Sequence, residues 1–270
     1  MTDFFPRTPT LPPHSPLFWV NHKDRYLRQL LIKDIEATTS RRLIVYHTDC
    51  DRSNAQIDPS DDVALAELLT SCKNLPVDLM IETNGGFTDS TEKLCAMLKS
   101  QATDLRVIVP RKAKSNGTVI ALCGSSILMG AESELGPIDP AIQTVPAEFI
   151  VNAPAGSFNV IDVQYATYAQ NQTRKLATYL LTEGMMKSAA AEVIEATVNA
   201  LATKQVYHSH GSSIDAAEAK RLGLNVILHE PDDELWCKVW LLRTMYQYDC
   251  GVRNFAKLFE SSTVSTAVPK

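Results

Sequence analysis

Two stretches of this chain decide its fold: VDLMIETNGG at residues 77–86 and LRVIVPRKAKSNGTVIAL at residues 105–122. Each opens on a short run of apolar residues, the composition of a buried strand, and each reaches a segment of small residues before the next helix. We predict strands from Val77 to Thr83 and from Leu105 to Val109. In α/β sheets, ligands sit at the carboxyl ends of the strands, so the residues that follow these two strands are the first candidates for a site.

The same pattern continues on both sides of these stretches. Further strands are predicted at 43–46, 127–129 and 225–228, and helices at 27–35, 63–69, 89–98 and 215–222. Residues 163–203 are predicted to form two or more helices, and a last helix holds Trp236 and Trp240. Strands that alternate with helices of about ten to fifteen residues indicate βαβ crossovers and a mainly parallel sheet.

The two ends of the chain differ from its middle. Five prolines fall within the first sixteen residues, which is too many for a helix or a central strand. We predict a Pro-rich, extended N-terminal arm over residues 1–22, a single domain over residues 23–260, and a flexible tail of small polar residues over 261–270.

The composition argues against several classes of protein. Of 270 residues, 45% are hydrophobic and 21% are charged, as in an ordinary globular protein. The net charge of −5 and the lack of a basic run argue against nucleic-acid binding. No apolar stretch approaches the roughly 18 residues of a membrane span, and the N-terminus lacks the pattern of a signal peptide. Six cysteines without a C-x-x-C spacing argue against structural zinc and favour reduced thiols in a cytoplasmic protein. We expect no metal and no other cofactor.

Glycines and a serine follow the two deciding strands. Gly85 and Gly86 come after the first strand, where backbone N–H groups can point at a developing negative charge. Ser115 opens an apolar helix after the second strand, and the N–H of Asn116 is free to join an oxyanion hole. Each signal also has a plainer interpretation, a turn for the glycines and an N-cap for the serine. The residues alone therefore leave a catalytic and a structural interpretation open.

Four segments carry a resemblance to a known family: DLMIETNGG at 78–86, VIVPRKAKSNGT at 107–118, LGPIDP at 135–140, and HGSSI at 210–214 followed by EAKRLGLNV at 218–226. They resemble the serine dehydrogenase proteinase family, a relative of signal peptide peptidase and of ClpP. The resemblance implies an α/β fold of the ClpP/crotonase type, with repeated ββα units and a helical C-terminal part. It also implies a homo-oligomer of trimer size or larger.

The resemblance further implies a serine peptidase that hydrolyses peptide or protein substrates through an acyl-serine intermediate. Ser115 is then the nucleophile, and the N–H groups of Gly86 and Asn116 form the oxyanion hole. Two other functions remain open: an acyl-CoA enzyme of the crotonase type, which would not need Ser115, and an inactive scaffold of the same fold.

The chain departs from the family pattern on either side of this site. Asn84 replaces the usual proline before the glycine pair, and Asn116 replaces the usual alanine or glycine after the serine. The side chain of Asn116 could crowd the acyl pocket, or it could add a donor to it.

Two residues are candidates for the general base. Lys175 falls where the family has a similar Arg-Lys pair, but a lysine acts as a base only if burial lowers its pKa toward neutrality. His210 is the rival, because a histidine titrates near neutrality without help. Asp139 occupies the place of the ClpP histidine, and a carboxylate is a poor base for a serine hydroxyl. The resemblance therefore favours Lys175 over His210.

Overall fold

The computed structural model describes residues 14–51 and 55–270. Its helices, in chain order, are α1 (Pro16–Asn21), α2 (Lys23–Thr39), α3 (Asp61–Leu69), α4 (Thr88–Gln101), α5 (Asn116–Leu122), α6 (Ala147–Val151), α7 (Val160–Thr182), α8 (Ala191–Ala202), α9 (Ala216–Arg221) and α10 (Glu234–Arg253). Its strands are β1 (Arg42–Thr48), β2 (Leu75–Glu82), β3 (Ala102–Val109), β4 (Lys112–Ala113), β5 (Ser126–Met129), β6 (Glu134–Leu135), β7 (Ala141–Ile142), β8 (Val145–Pro146), β9 (Val226–Leu228), β10 (Phe255–Ser261) and β11 (Ser265–Pro269).

Seven of these strands form one central sheet in the order β11-β10-β1-β2-β3-β5-β9. From β1 to β9 the neighbouring strands are parallel, whereas β10 is antiparallel to both β1 and β11. The predicted mainly parallel α/β sheet is therefore confirmed. Because β2 and β3 are parallel neighbours, the segments that follow them leave the sheet at the same edge.

Helices cover both faces of the sheet. In β1, Leu43 and Val45 point to the face that packs against α2 and α10. Ile44 and Tyr46 point to the opposite face, which carries the larger core built with α3, α4, α5, α7 and α8. This alternation places one apolar layer on each side of the sheet and removes both from water, which is the main source of stability in such a fold.

The predicted flexible tail over residues 261–270 is wrong. Residues Ser265–Pro269 form the edge strand β11, which pairs in antiparallel register with β10. The sheet therefore runs past the predicted domain boundary at residue 260. Small polar residues are tolerated there because an edge strand keeps one side exposed to solvent.

The strand β10 has no counterpart among the predicted elements, since charged residues interrupt its apolar pattern. Lys257 and Glu260 are nevertheless buried. Lys257 forms an ion pair with Asp61 at 2.7 Å, and Glu260 forms one with Arg28 at 2.6 Å. A buried charge is tolerated only when a partner offsets its desolvation, and here the partners come from α2 and α3.

The predicted N-terminal arm over residues 1–22 lies outside the described residues at positions 1–13. Its remainder is not extended, because Pro16–Asn21 forms α1. The hydroxyl of Ser15 caps this helix by accepting the N–H of Phe18 at 3.2 Å. Pro16 fits the first turn, where a missing N–H breaks no helical hydrogen bond. Among the described residues, no helix is long and apolar enough to cross a membrane.

Candidate active site

Ser115 occupies a strained turn between the short strand β4 and helix α5. Its φ of 53° and ψ of −122° lie in a region that residues with a side chain rarely adopt. The hydroxyl makes no capping hydrogen bond to α5, so the interpretation of Ser115 as a simple N-cap is not supported. Strained backbone conformations of this kind cluster at active sites, and this one motivates the assignment of Ser115 as a nucleophile.

Gly85 closes directly against this turn. A Cβ atom on Gly85 would lie 2.7 Å from the Cβ of Ser115 and 3.0 Å from the backbone nitrogen of Asn116, so only glycine fits. Two backbone hydrogen bonds join the loops, from the N–H of Thr83 to the carbonyl of Lys112 at 3.1 Å and from the N–H of Lys114 to the carbonyl of Thr83 at 3.0 Å. The structure thus brings the glycine pair and Ser115 together.

Gly86 is oriented by its neighbour Ile57. The N–H of Ile57 donates to the carbonyl of Gly85 at 2.8 Å, and the N–H of Phe87 donates to the carbonyl of Ile57 at 2.9 Å. The N–H of Gly86 is trans to the Gly85 carbonyl and therefore points away from Ile57. Within residues 14–51 and 55–270, neither this N–H nor that of Asn116 has a hydrogen-bond acceptor. Two free N–H groups beside a strained serine are the donors that an oxyanion hole requires.

Both asparagines that depart from the family pattern are hydrogen-bonded. The Nδ2 of Asn116 donates to the carbonyl of Gly86 at 2.6 Å and lies 3.2 Å from the hydroxyl of Thr88. The Nδ2 of Asn84 donates to the carbonyl of Cys50 at 2.5 Å. The side-chain amide of Asn116 is therefore directed at the glycine loop.

Asp139 contacts two basic residues, Lys204 and His210, that lie far from it in the sequence. Its Oδ1 lies 2.9 Å from Nδ1 of His210, and its Oδ2 lies 2.6 Å from Nζ of Lys204. Asp139 is 3% exposed, whereas the His210 side chain is 45% exposed. The two segments run side by side because Leu135 and Ile214 exchange backbone hydrogen bonds of 2.9 and 3.1 Å. A carboxylate on Nδ1 fixes the histidine tautomer and leaves Nε2 free to take a proton.

Further contacts connect this group with the nucleophile segment. The hydroxyl of Thr118, in the first turn of α5, accepts the N–H of Gly136 at 3.0 Å. The Nζ of Lys114, next to Ser115, donates to the carbonyl of Ser212 at 3.0 Å. The segments that carry Asp139 and His210 are therefore both anchored to the residues that flank Ser115.

Lys175 lies on α7 and is exposed. The neighbouring Leu176, Leu180 and Leu181 are buried, but they point into the main core and leave Lys175 outside it. The position does not supply the dry surroundings that a lysine base requires. Lys204, by contrast, is buried against Asp139, and no motif in the sequence signals its place beside His210.

The end of β2 beneath the glycine loop is fixed by a buried ion pair. Two nitrogens of Arg243, on α10, each donate to the carboxylate of Glu82 at 2.7 Å. Burial alone would raise the pKa of Glu82, but the hydrogen bonds from Arg243 and the nearby positive charges lower it below its ordinary value. His47, paired with Glu82 in the sheet, is fully buried, and burial lowers its pKa to about 4. His47 is therefore a neutral core residue that stacks on Tyr246.

Comparison with known proteins relates this chain to a family and to several other proteins. A family model described as ClpP-like SDH-type serine proteinase matches residues 53–259. Two uncharacterized proteins of Methanocaldococcus jannaschii are 31% and 27% identical over 71% and 73% of this chain. The chain spans about 65% of the length of each of these relatives. A ClpP1 variant from Listeria monocytogenes has a similar structure, with a TM-score of 0.47 and 16% identity over 76% of this chain and 99% of its own. By the match of the family model to most of its length, this chain belongs to the ClpP-like SDH-type serine proteinases.

Proposed function

We propose that this protein is a serine peptidase that hydrolyses peptide bonds through an acyl-serine intermediate, with Ser115 as the nucleophile. The observation that carries the proposal is the strained, uncapped Ser115, which lies against Gly85, while the next residue along each of the two loops, Gly86 and Asn116, has a free N–H group. The Ser115 Oγ attacks the substrate carbonyl carbon, and the two N–H groups stabilise the oxyanion that forms. Water then hydrolyses the acyl-serine and releases the acid product.

The proton of Ser115 needs an acceptor, and we propose His210. Its Nδ1 is held by the buried carboxylate of Asp139, so Nε2 is the nitrogen that takes the proton and passes it to the leaving amine. Lys175 remains the second candidate. The exposed position of Lys175 supports it less well, because a lysine base requires burial.

The nucleophile is tested by active-site labelling. A fluorophosphonate probe should label the wild-type protein covalently, and peptide mapping should place the adduct on Ser115. Ser125→Ala, which changes an exposed serine on the turn between α5 and β5, serves as the matched control and should leave labelling unchanged. An unlabelled wild-type protein, or an adduct on another residue, contradicts the proposal and favours the acyl-CoA enzyme or the inactive scaffold.

We also propose that the chain forms a homo-oligomer. The first turns of α7 expose Val160, Ile161, Tyr165 and Tyr168 with 60–82% of each residue accessible. An apolar face of this kind is typical of a surface that a partner covers. Light scattering at micromolar concentration should give a mass of three or more chains of 29.8 kDa. A monomeric mass would rule out the assembly.

A further inference from the structure

The loop that supplies one oxyanion donor has little conformational restraint of its own. Asn84, Gly85 and Gly86 follow one another, and two of the three are glycines, which adopt many backbone conformations at little cost. The N–H of Gly86 acts as a donor only if the peptide planes on both sides of this residue keep their orientation. The hydroxyl of Thr83 restrains the start of the loop by accepting the N–H of Gly85 at 3.1 Å. The peptide planes on the two sides of Gly86 are fixed from outside the loop.

Three hydrogen bonds fix the planes, and one of them runs from the N–H of Phe87, in the same peptide plane as the Gly86 carbonyl, to the carbonyl of Ile57 at 2.9 Å. The N–H of Ile57 holds the carbonyl of Gly85 at 2.8 Å, which sets the plane that contains the N–H of Gly86. The Nδ2 of Asn116 holds the carbonyl of Gly86 at 2.6 Å, which sets the next plane. The Thr88 hydroxyl lies 3.2 Å from the same Nδ2 and helps to orient the amide.

Asn116 contributes to both sides of the proposed hole. Its backbone N–H is one of the two free donors, and its side chain donates a hydrogen bond to the carbonyl of Gly86, the residue with the other free N–H. Asn116 is only 7% exposed, so the hydrogen bond from its side-chain amide to the Gly86 carbonyl is shielded from competing water. The N–H groups of Asn116 and Gly86 are therefore connected through one residue, Asn116, and the hydrogen bond from its side chain to the Gly86 carbonyl.

We propose that the side chain of Asn116 is a positioning residue that locks the Gly85–Gly86 loop with the N–H of Gly86 aimed into the oxyanion hole. It acts through Gly86 and does not touch the reacting atoms. The inference deepens the proposed function and rests on it for its kinetic consequences, while the locking of the loop is a structural property that can be measured without activity.

A rigid residue at position 84 should also restrain the loop formed by residues 84–86. Proline fixes φ near −65°, and the φ of Asn84 is not among the positive ones. The backbone N–H of Asn84 donates no hydrogen bond among the described residues, and Thr83 before it is in an extended bridge with Ala113, as a residue before proline should be. Asn84→Pro removes the side-chain bond to the Cys50 carbonyl, but it fixes the φ angle two residues before Gly86 and so reduces the conformations open to the loop.

The test measures peptide hydrolysis and probe labelling for three loop variants and one control variant of the full chain. Asn116→Ala should lower kcat by about 10-fold with KM within about 2-fold, which is less than the about 10²- to 10³-fold that follows loss of a whole donor. Asn116→Asp, which sets a carboxylate against the Gly86 carbonyl, should lower kcat further. Asn84→Pro combined with Asn116→Ala should recover most of the loss. Asn225→Ala removes a comparable side-chain bond to the Ser125 carbonyl, far from the loop, and should leave kcat unchanged.

Amide hydrogen exchange separates this inference from the proposed function. The N–H of Ile57, bonded to the Gly85 carbonyl, should exchange faster in Asn116→Ala and return toward the wild-type rate in the double variant. If the Ile57 N–H exchanges faster in Asn116→Ala but the probe does not label the protein, the positioning role of Asn116 is supported and the peptidase function is overturned. If Asn116→Ala changes neither the exchange rate of the Ile57 N–H nor kcat, the proposal is overturned. It is also overturned if KM and kcat both fall in Asn116→Ala and the added Asn84→Pro does not restore them.

Discussion

Ser115→Ala is expected to lower kcat/KM for peptide hydrolysis by at least about 10⁴-fold, because no acyl intermediate can form without the hydroxyl. Residual hydrolysis should reflect only the oxyanion donors and substrate binding. The free energy of unfolding should change by less than about 1–2 kcal/mol, the range of a lost helix cap, since the Ser115 hydroxyl caps nothing. Steady-state kinetics and chemical denaturation measure the two quantities on the same samples.

Ser115→Gly provides a matched control for the backbone strain. Glycine adopts a φ of 53° with ψ of −122° at much lower cost than alanine. This variant should be as inactive as Ser115→Ala but more stable than it, by on the order of 1 kcal/mol. Activity that survives in either variant would move the nucleophile elsewhere in the chain. Equal stability of the two variants would mean that Ser115 stores no strain.

His210→Ala should have the second-largest effect, a loss of about 10³- to 10⁴-fold in kcat, because Ser115 then lacks an acceptor for its proton. Lys175→Ala is the matched control, and its kcat should stay within about 2-fold of wild type because Lys175 is exposed on α7. Asp139→Asn keeps the shape of the side chain but no longer favours a proton on Nδ1 of His210. It should therefore cost about as much as His210→Ala.

The pH profile distinguishes the same two bases. A histidine base works at neutral pH, so a histidine-dependent kcat/KM should not rise further between pH 8 and 9. A lysine base would instead give activity that still rises between pH 8 and 9. Loss of activity in Lys175→Ala, with activity retained in His210→Ala, would refute the assignment of His210.

Most of the central sheet can be predicted from the sequence, because its strands are buried on both faces and their apolar runs are short and continuous. Val77 to Thr83 and Leu105 to Val109 match β2 and β3 within about three residues at each end. The strands β10 and β11 cannot be predicted in this way. Lys257 and Glu260 in β10 have the pattern of exposed residues, and only their partners on α2 and α3 make their burial possible.

Some features of the candidate site could likewise be predicted from the sequence, and others could not. Ser115 and Gly86 could be selected from the sequence alone because they follow neighbouring parallel strands, and such strands end at the same edge of a sheet. The backbone strain at Ser115 and the hydrogen bond from Asn116 to Gly86 follow from the close approach of two loops, which no local pattern encodes. Asp139 and His210 are 71 residues apart, so only the tertiary structure could pair them. Local sequence determined most of the elements and the edge of the sheet where the candidate site lies, whereas contacts between distant segments decided which side chains meet there.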